Sequence, residues 1–335
     1  MSEKTKGAPT LSLPGEVRDS RKIDGLQNRV ERYQHLKTLA LETAEYLKGQ
    51  PDVKAFQGLV SRVRDCGNYL QFRNYYTVDQ VLLHRASFCD QHLLCQFCAL
   101  LRGAKYTRKY MEKVELVINE KPWLKPYLVS LTIKNGPDLR ERYAHIIRSM
   151  GKMMQLRRDA GKGRRETIEM SKADGGVYNI EVKRGEGSGE WHPHVHSTWL
   201  CEEAPDSFKL SREWEEITGD SIIVDSRPFD DDPVSAFLEV FAYALKFSTM
   251  EKDDLWTAFK LLRGKRMIRS FGSLFGVPEP ETLTDEPLSD DLPYIDMLYR
   301  WAASGYTYTG PSQKRFLGVS EENIFPSTPS LSLRG

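Results

Sequence analysis

Three of the seven histidines stand at alternate positions of one short segment, Trp191 to Leu200. In a β-strand alternate side chains point to the same face, so His192, His194 and His196 would form one row with steps of roughly 6.5–7 Å. Neutral imidazole is the commonest metal ligand in proteins, and two such rings on one strand can reach one ion. The spacing therefore indicates a metal site. The alternative is a half-exposed strand that happens to be rich in histidine.

A carboxylate can join this row from the β-like segment that precedes it, Val177 to Val182. A glycine-rich stretch separates the two segments and predicts a hairpin. Folding this hairpin at its middle places Glu181 opposite His194 and on the same face. Glu181 could therefore join His194 and His196 as a ligand. A surface Glu–His pair across two strands is the alternative interpretation.

A second group of polar side chains follows about forty residues later. The run Asp230-Asp-Asp-Pro233 is typical of a helix start, because aspartate caps free amides and proline is tolerated at the first helical position. On the helix that follows, Glu239, Tyr243 and Lys246 lie in one narrow stripe, opposite the apolar side. The alternative to a chemical role is a Glu–Tyr contact one turn apart with a lysine extended beside it.

Together these residues suit phosphoryl transfer. A divalent ion on His194 and His196 would polarise a phosphoryl oxygen. A tyrosine phenol has an unperturbed pKa of about 10 and needs activation to attack, which Lys246, one turn after Tyr243, could provide. Attack on a DNA phosphodiester would leave a covalent phosphotyrosine and release a 3′-hydroxyl. Glu239 could then activate a second nucleophile, such as water.

Four of the five cysteines precede this region, and their pattern suits a structural zinc ion. Zinc takes four thiolate or imidazole ligands, and the Cys95-x2-Cys98 pair is a typical half-site, with Cys66 and Cys89 to complete it and His92 as a substitute. Buried cysteines that act only as small apolar side chains are the alternative. An odd number of cysteines in a chain with no evident export signal predicts reduced thiols and a cytoplasmic location.

Evidence for a nucleic-acid partner is local, because the 335-residue chain carries a net charge of only +1. Two basic clusters could hold the backbone of single-stranded DNA, although such runs are often only solvated surface. The residues predicted to bind DNA are Arg157, Arg158, Lys162, Arg164 and Arg165 in the first cluster and Lys260, Arg263, Lys265 and Arg266 in the second. No apolar run approaches the roughly 18–20 residues of a membrane span, so we expect no membrane contact.

The elements that position these residues predict an α+β fold with an antiparallel sheet and the histidine strand at its centre. Periodicity predicts a strand at 127–133, a long helix capped by Asp138, β-like segments at 167–171 and 221–225, an amphipathic stretch at 255–274 and a short helix at 294–303.

We divide the chain into a disordered arm (1–20), a helical cysteine-bearing region (21–115), a catalytic domain (120–250), a helical C-terminal region (251–310) and a flexible tail (311–335).

The histidine motif, followed by Glu239-x3-Tyr243-x2-Lys246, resembles the HUH endonucleases, in particular the single-tyrosine rolling-circle replication initiators (Rep proteins) of small bacterial plasmids. The strand end Leu131-Thr-Ile-Lys-Asn135 is similar to their first motif, residues 194–196 to the second and the tyrosine helix to the third. The segment with Cys89, Cys95 and Cys98 resembles an upstream cysteine-bearing element. The resemblance covers about residues 60–250.

This resemblance implies an HUH-type sheet flanked by helices and a Mg²⁺- or Mn²⁺-dependent DNA nickase. Tyr243 would be the nucleophile that cuts one strand at the origin, and Glu239 would assist the terminating cleavage by water. His194 and His196 would hold the metal, with Glu181 as the third ligand and His192 as its competitor.

The partners implied are plasmid origin DNA, single-stranded or cruciform at the nick, and a host helicase and polymerase. One tyrosine with a nearby glutamate favours a replication initiator over a relaxase or a transposase, which would use the same chemistry. A non-catalytic, zinc-containing DNA-binding protein is the alternative from another class.

Overall fold

The computed structural model describes residues 23–229, 250–288 and 292–310. Within these ranges the chain forms six α-helices and nine strands in two antiparallel sheets, which confirms the predicted α+β class. The helices are α1 (Ile23–Lys48), α2 (Leu59–Asp65), α3 (Gln96–Glu120), α4 (Leu139–Gly161), α5 (Ser207–Thr218) and α6 (Lys252–Leu262). The strands are β1 (Tyr69–Tyr75), β2 (Gln80–Ala86), β3 (Lys125–Thr132), β4 (Ala173–Arg184), β5 (Trp191–Cys201), β6 (Val224–Pro228), β7 (Ile268–Gly272), β8 (Ile295–Ala302) and β9 (Gly305–Gly310).

The described residues divide into two compact units. The first includes residues 35–66 and 88–283 as far as they are described, and its five-stranded sheet has the order β6-β3-β5-β4-β7. The second includes residues 67–87, the start of α1 and the chain from residue 284, and its four-stranded sheet has the order β2-β1-β8-β9. All candidate site residues in the described ranges belong to the first unit.

The histidine strand, β5, is the central strand of the five-stranded sheet, as predicted. It pairs with β4 through the predicted hairpin, and Glu181 lies opposite His194 in the register. On its other edge β5 pairs with β3, where Ser130 lies opposite His196. Because β5 has a neighbour on both sides at His194 and His196, the backbone positions of these two residues are fixed by two ladders of hydrogen bonds.

Helices cover the two faces of this sheet differently. The core that includes Tyr110 and Val114 of α3 also contains Val177 and Leu200, which share the face of Glu181 and His194 by strand alternation. Helix α4 packs against the opposite face. Its methionine Met153 is fully buried there, which agrees with the predicted role of the methionines as core filler.

Local signals explain the start of α4 and the position of α5. The Asp138 carboxylate accepts hydrogen bonds from the amides of Arg140 and Glu141, at 2.7 and 3.4 Å, which confirms the predicted cap. The buried indole of Trp214 on α5 donates a hydrogen bond to the Thr132 carbonyl at 2.6 Å. This bond ties α5 to the end of β3.

Several expectations about secondary structure were wrong. The regions 21–115 and 251–310 also contain strands: β1 and β2 in the first, and β7, β8 and β9 in the second. The segment 294–303, expected as a helix, is β8, and the amphipathic stretch 255–274 is helical only as far as Leu262. The β-like segment 167–171 is instead a 3₁₀ turn, Glu169–Lys172. These segments are short or pair with distant strands, and their local periodicity does not report that pairing.

Other predictions fall on residues that the structure does not describe. These are the arm (1–20), the tail (311–335) and the helix with Glu239, Tyr243 and Lys246, and they stay predictions. In the described ranges, none of the helices combines the length and apolar character needed to cross a membrane.

Candidate functional site

Glu181, His194 and His196 meet on one face of the five-stranded sheet. The Nε2 atoms of His194 and His196 lie 2.8 and 3.2 Å from the same carboxylate oxygen, Oε2 of Glu181. All three side chains are buried, and their potential ligand atoms lie within 4.8 Å of one another. This is the number and type of ligands with which proteins hold a catalytic divalent ion while leaving positions open for water or substrate.

The other nitrogen of each imidazole is held by a neighbour. Nδ1 of His194 lies 3.2 Å from the carbonyl oxygen of His192, and Nδ1 of His196 lies 3.1 Å from Oγ of Ser130. A carbonyl can only accept, so Nδ1 of His194 carries the proton and its Nε2 has a free lone pair when the ring is neutral. Such outer hydrogen bonds orient metal-binding histidines and select their tautomer.

This tautomer places a lone pair of Nε2 against a carboxylate oxygen at 2.8 Å. Two acceptors at that distance repel each other unless a cation lies with them. A proton on the imidazole or a bound metal ion would satisfy the arrangement. The residues therefore fit a divalent ion, and their mixed nitrogen and oxygen ligands suit Mn²⁺, Mg²⁺ or Zn²⁺.

His192 takes a different position from the other two histidines. Its Nδ1 lies 2.5 Å from Oδ1 of Asn135, and its ring stacks on that of His194 at 5.0 Å. Burial, followed by the neighbouring His194, lowers the pKa of His192 to about 4. The structure thus brings Glu181, rather than His192, into the compact group of three.

Asn135, at the end of the strand that resembles the first motif, connects that motif to the histidine strand. Beyond its contact with His192, its amide nitrogen donates to Oγ of Ser188 in the hairpin loop at 2.9 Å. The next residue, Gly136, forms an antiparallel bridge with Trp191 at the start of β5. These bonds fix the end of β3 beside the start of the histidine strand.

Sequence reasoning gave no role to Asn179, which lies opposite His196 in the register. The side chain is fully buried, and neither of its amide atoms has a hydrogen-bond partner among the described residues. Such a group costs stability unless something satisfies it. The alternation that selected Glu181 also places Asn179 on its face, so this signal was present in the sequence.

The four predicted cysteines form the second candidate metal group. Sulfur–sulfur distances are 3.5 Å for Cys66 and Cys98, 3.6 Å for Cys89 and Cys98, and 3.6 Å for Cys95 and Cys66. Tetrahedral zinc with bonds of about 2.3 Å places its sulfurs about 3.8 Å apart. All four are buried free thiols, and His92 is not a member of the group. The four sulfurs could therefore hold one metal ion together, and their distances are close to those in a zinc site with four cysteine ligands.

A buried lysine, which sequence reasoning missed, accompanies these cysteines. Lys37 on α1 is fully buried and donates hydrogen bonds to the carbonyls of Arg64 and Cys66. Burial lowers the pKa of Lys37, while charge on Cys66 acts in the opposite direction. Zinc bound by four thiolates carries a net negative charge, so a cation held beside the group would offset part of it.

The predicted DNA-binding residues separate into different surroundings. Arg157, Arg158 and Arg266, from both clusters, line one common cavity. Lys260 instead forms an ion pair with Asp52, with 2.7 Å between its Nζ atom and the Oδ2 atom of Asp52, and Arg263 lies over the ring of Phe56. The remaining ones do not line this cavity: Lys162, Arg164 and Arg165 are exposed, and Lys265 lies over the ring of Tyr143.

Comparison with known proteins gives one point of reference. The chain is similar to a Rep protein. This relative, named Protein rep, comes from Streptococcus pneumoniae serotype 2 (strain D39 / NCTC 7466) and is 24% identical over 258 residues, which cover 71% of this chain and 76% of the relative. No family model matches the chain, and no solved structure gives a significant match.

Glu181→Gln is expected to weaken Mn²⁺ binding at least about tenfold, because even outer partners of metal ligands are worth 10–100-fold in affinity. Isothermal titration of the metal-free protein measures this change. Glu213→Gln, which alters a partly buried carboxylate elsewhere in the same unit, is the matched control and should bind as the wild type does. Equal affinity in both variants would exclude Glu181 as a ligand.

The cysteine group is tested by metal content. The purified protein should carry about one zinc ion per chain, and Cys95→Ser should lose it. Structural zinc is worth about 10–16 kcal/mol in zinc-finger peptides, and each kcal/mol of lost stability lowers Tm by about 2–4 °C in a domain of about 150–250 residues. We therefore expect Tm to fall by about 10 °C or more. Cys201→Ser changes a buried thiol outside the group and should keep its zinc. A wild-type protein without zinc would support the apolar interpretation.

Proposed function

We propose that this protein is a replication initiator that nicks one strand of a plasmid origin in a metal-dependent reaction. Tyr243 is the proposed nucleophile, and the nick leaves a free 3′-hydroxyl that primes synthesis. Glu181, His194 and His196 are the proposed metal ligands, with Mg²⁺ or Mn²⁺ as the ion. A host helicase and polymerase would then extend and displace the nicked strand.

The observation that carries this proposal is the convergence of two histidines and one carboxylate on a central strand and its neighbour. Both Nε2 atoms face one Glu181 oxygen, at 2.8 and 3.2 Å, and the opposite ring nitrogens are oriented by neighbouring groups. A proton or a bound metal ion would satisfy such a group, and a divalent ion there would polarise a phosphate oxygen. The same strand pattern is the one that resembles the HUH endonucleases.

The proposed reaction is a transesterification. Oη of Tyr243 attacks the phosphorus, the bond from phosphorus to the 3′ oxygen breaks, and the 5′ phosphate remains on the tyrosine. The phenolic proton leaves the tyrosine, and the departing 3′ oxygen gains one, so that a 3′-hydroxyl is released. Lys246, three residues after Tyr243 on the helix that the sequence predicts, would favour the phenolate. Glu239 would later activate water for the terminating cleavage.

The similarity to Protein rep supports the replication role, since it extends over 71% of the chain and so spans more than a single motif. At 24% identity it does not by itself assign the chemistry. A relaxase or a transposase would use the same chemistry. The similarity to Protein rep and the arrangement of one tyrosine with one glutamate both favour the initiator among these.

One observation favours a second candidate of another class. The buried group of four cysteines fits structural zinc, which also occurs in DNA-binding proteins without catalytic activity. This alternative assigns no function to the group formed by Glu181, His194 and His196. It predicts DNA binding with no cleavage under any metal condition, and the following experiment separates the two candidates.

Tyr243→Phe is expected to abolish covalent attachment, because phenylalanine lacks the attacking oxygen. The wild-type protein is incubated with a labelled single-stranded origin oligonucleotide and Mn²⁺, and the adduct is resolved by denaturing electrophoresis. Tyr76→Phe, a change at an exposed tyrosine, should form the adduct at the wild-type rate. An adduct formed by Tyr243→Phe would refute the assignment, and a wild-type protein that never cleaves would favour the non-catalytic candidate.

Glu239→Ala should separate the two cleavages. Initial nicking by Tyr243 should persist, while hydrolytic release of the covalent protein slows by about 100-fold or more, which is a typical contribution of a general base. The measurement follows adduct formation and adduct decay in single-turnover reactions. If both rates fall by the same factor, Glu239 has a structural role in the tyrosine helix instead.

A further inference from the structure

Four arginines from two distant parts of the chain meet at one cavity. Arg157 and Arg158 come from the end of α4, while Arg266 lies just before β7 and Arg269 at its start. The cavity has a volume of about 550 Å³ and is also lined by Phe271 and Phe275. Folding thus brings arginines from the two basic clusters together at a single edge of the five-stranded sheet.

Among the described residues, the charge of this cavity is not neutralised by ion pairs, although the charge of Asp174 acts on Arg157 from outside the lining. None of its lining residues is acidic, and no ion pair among the described residues includes any of the four guanidinium groups. Arg157 is used structurally, since it donates to the carbonyls of Met170 and Ala173. Arg158 and Arg266 are exposed, and Arg269 is half-buried. Because the whole protein carries only +1, this local excess of positive charge predicts an anionic ligand.

The aromatic side chains indicate what kind of anion this is. Phe275 is 71% exposed at the cavity, although a large apolar ring is normally buried in a folded protein. Phe271 lies beneath Arg157, whose guanidinium carbon is 4.9 Å from its ring centroid. Arginines that contact phosphates beside an exposed ring on which a base can stack are the elements of single-stranded nucleic-acid binding.

Strand alternation places this cavity on the opposite face of the sheet from the metal ligands. Tyr178 lines the cavity, whereas its neighbour Asn179 lies on the face of Glu181 and His196. Residues from α4 form the other wall of the cavity, and α4 covers the face away from the histidines. A phosphate in this cavity therefore cannot be the phosphate that is cleaved.

We propose that this cavity binds a second segment of single-stranded DNA, separate from the segment that is cut. Arg158, Arg266 and Arg269 contact its phosphates, and Phe275 stacks on a base. The choice of DNA as the ligand rests on the proposed function, while the site itself rests on the charge and the aromatic rings. Held in this way, flanking origin DNA stays attached while the nick on the other face is made and resealed.

The test compares two double variants with the same change in net charge. Arg158→Glu with Arg266→Glu removes two cavity arginines, and Arg62→Glu with Arg212→Glu changes two exposed arginines elsewhere. Fluorescence anisotropy measures affinity for a labelled 30-nucleotide oligo(dT) across salt concentrations. We expect the cavity variant to bind at least tenfold more weakly than the control, with a log–log salt slope lower by about 1.4, from about 0.7 per lost phosphate contact.

Phe275→Ala tests the stacking ring. It should weaken oligo(dT) binding by about tenfold and leave duplex binding unchanged, because paired bases are not free to stack on the ring. Equal losses for single strands and duplex would overturn the assignment to single-stranded DNA. Equal affinity of the cavity variant and the control variant would overturn the site.

Cleavage separates this proposal from the proposed function. A short oligonucleotide that extends only a few nucleotides beyond the nick should be cut by the cavity variant at the wild-type rate. If the wild type cuts this substrate and the cavity variant keeps its oligo(dT) affinity, the nicking activity is supported and the second DNA-binding site is refuted. If the cavity variant loses oligo(dT) affinity but neither it nor the wild type cuts the substrate, the second DNA-binding site is supported and the nicking activity is refuted.

Discussion

The antiparallel pairing of β4 with β5 is the interaction on which the candidate site depends. Side chains alternate along both strands, so a slip of one residue would turn Glu181 and the histidines to opposite faces. Contacts outside the pair restrain the register. Arg184, at the end of β4, stacks on Trp191 at 3.9 Å and pairs with Asp254 of α6 at 2.7 Å, while β3 holds the other edge of β5.

A glycine in the hairpin loop lets the first motif approach this pair of strands. A Cβ atom at Gly185 would lie 2.3 Å from the amide nitrogen of Asn135, closer than atoms can approach without displacement. With hydrogen in its place, Asn135 contacts both the loop and His192. The loop is therefore part of the site's framework, although it contains none of the candidate ligands.

The centre of the fold was predictable from the sequence, and the second sheet was not. Alternation of residues reports which side chains share a face, so the hairpin and its opposing Glu181 and His194 followed from spacing alone. Strand β8 shows where prediction from local spacing fails. Its apolar residues Ile295, Leu298 and Tyr299 have helical spacing, but they lie in a strand that pairs with β1, more than 200 residues away in the chain. Local patterns contain no information about such a partner, nor about the cavity that brings arginines of the two basic clusters together.

The two candidate metal groups differ in where their ligands come from, and this difference determines how each group would bind and release an ion. Glu181, His194 and His196 stand on adjacent strands whose backbone is already paired, so this site is preorganised and an ion could exchange without local unfolding. The cysteines come from the end of α2, from the connection that follows β2 and from the start of α3. Without an ion, weak thiol contacts link the four sulfurs. One group is therefore suited to a reversibly bound cofactor, and the other to an ion acquired once, during folding, and kept.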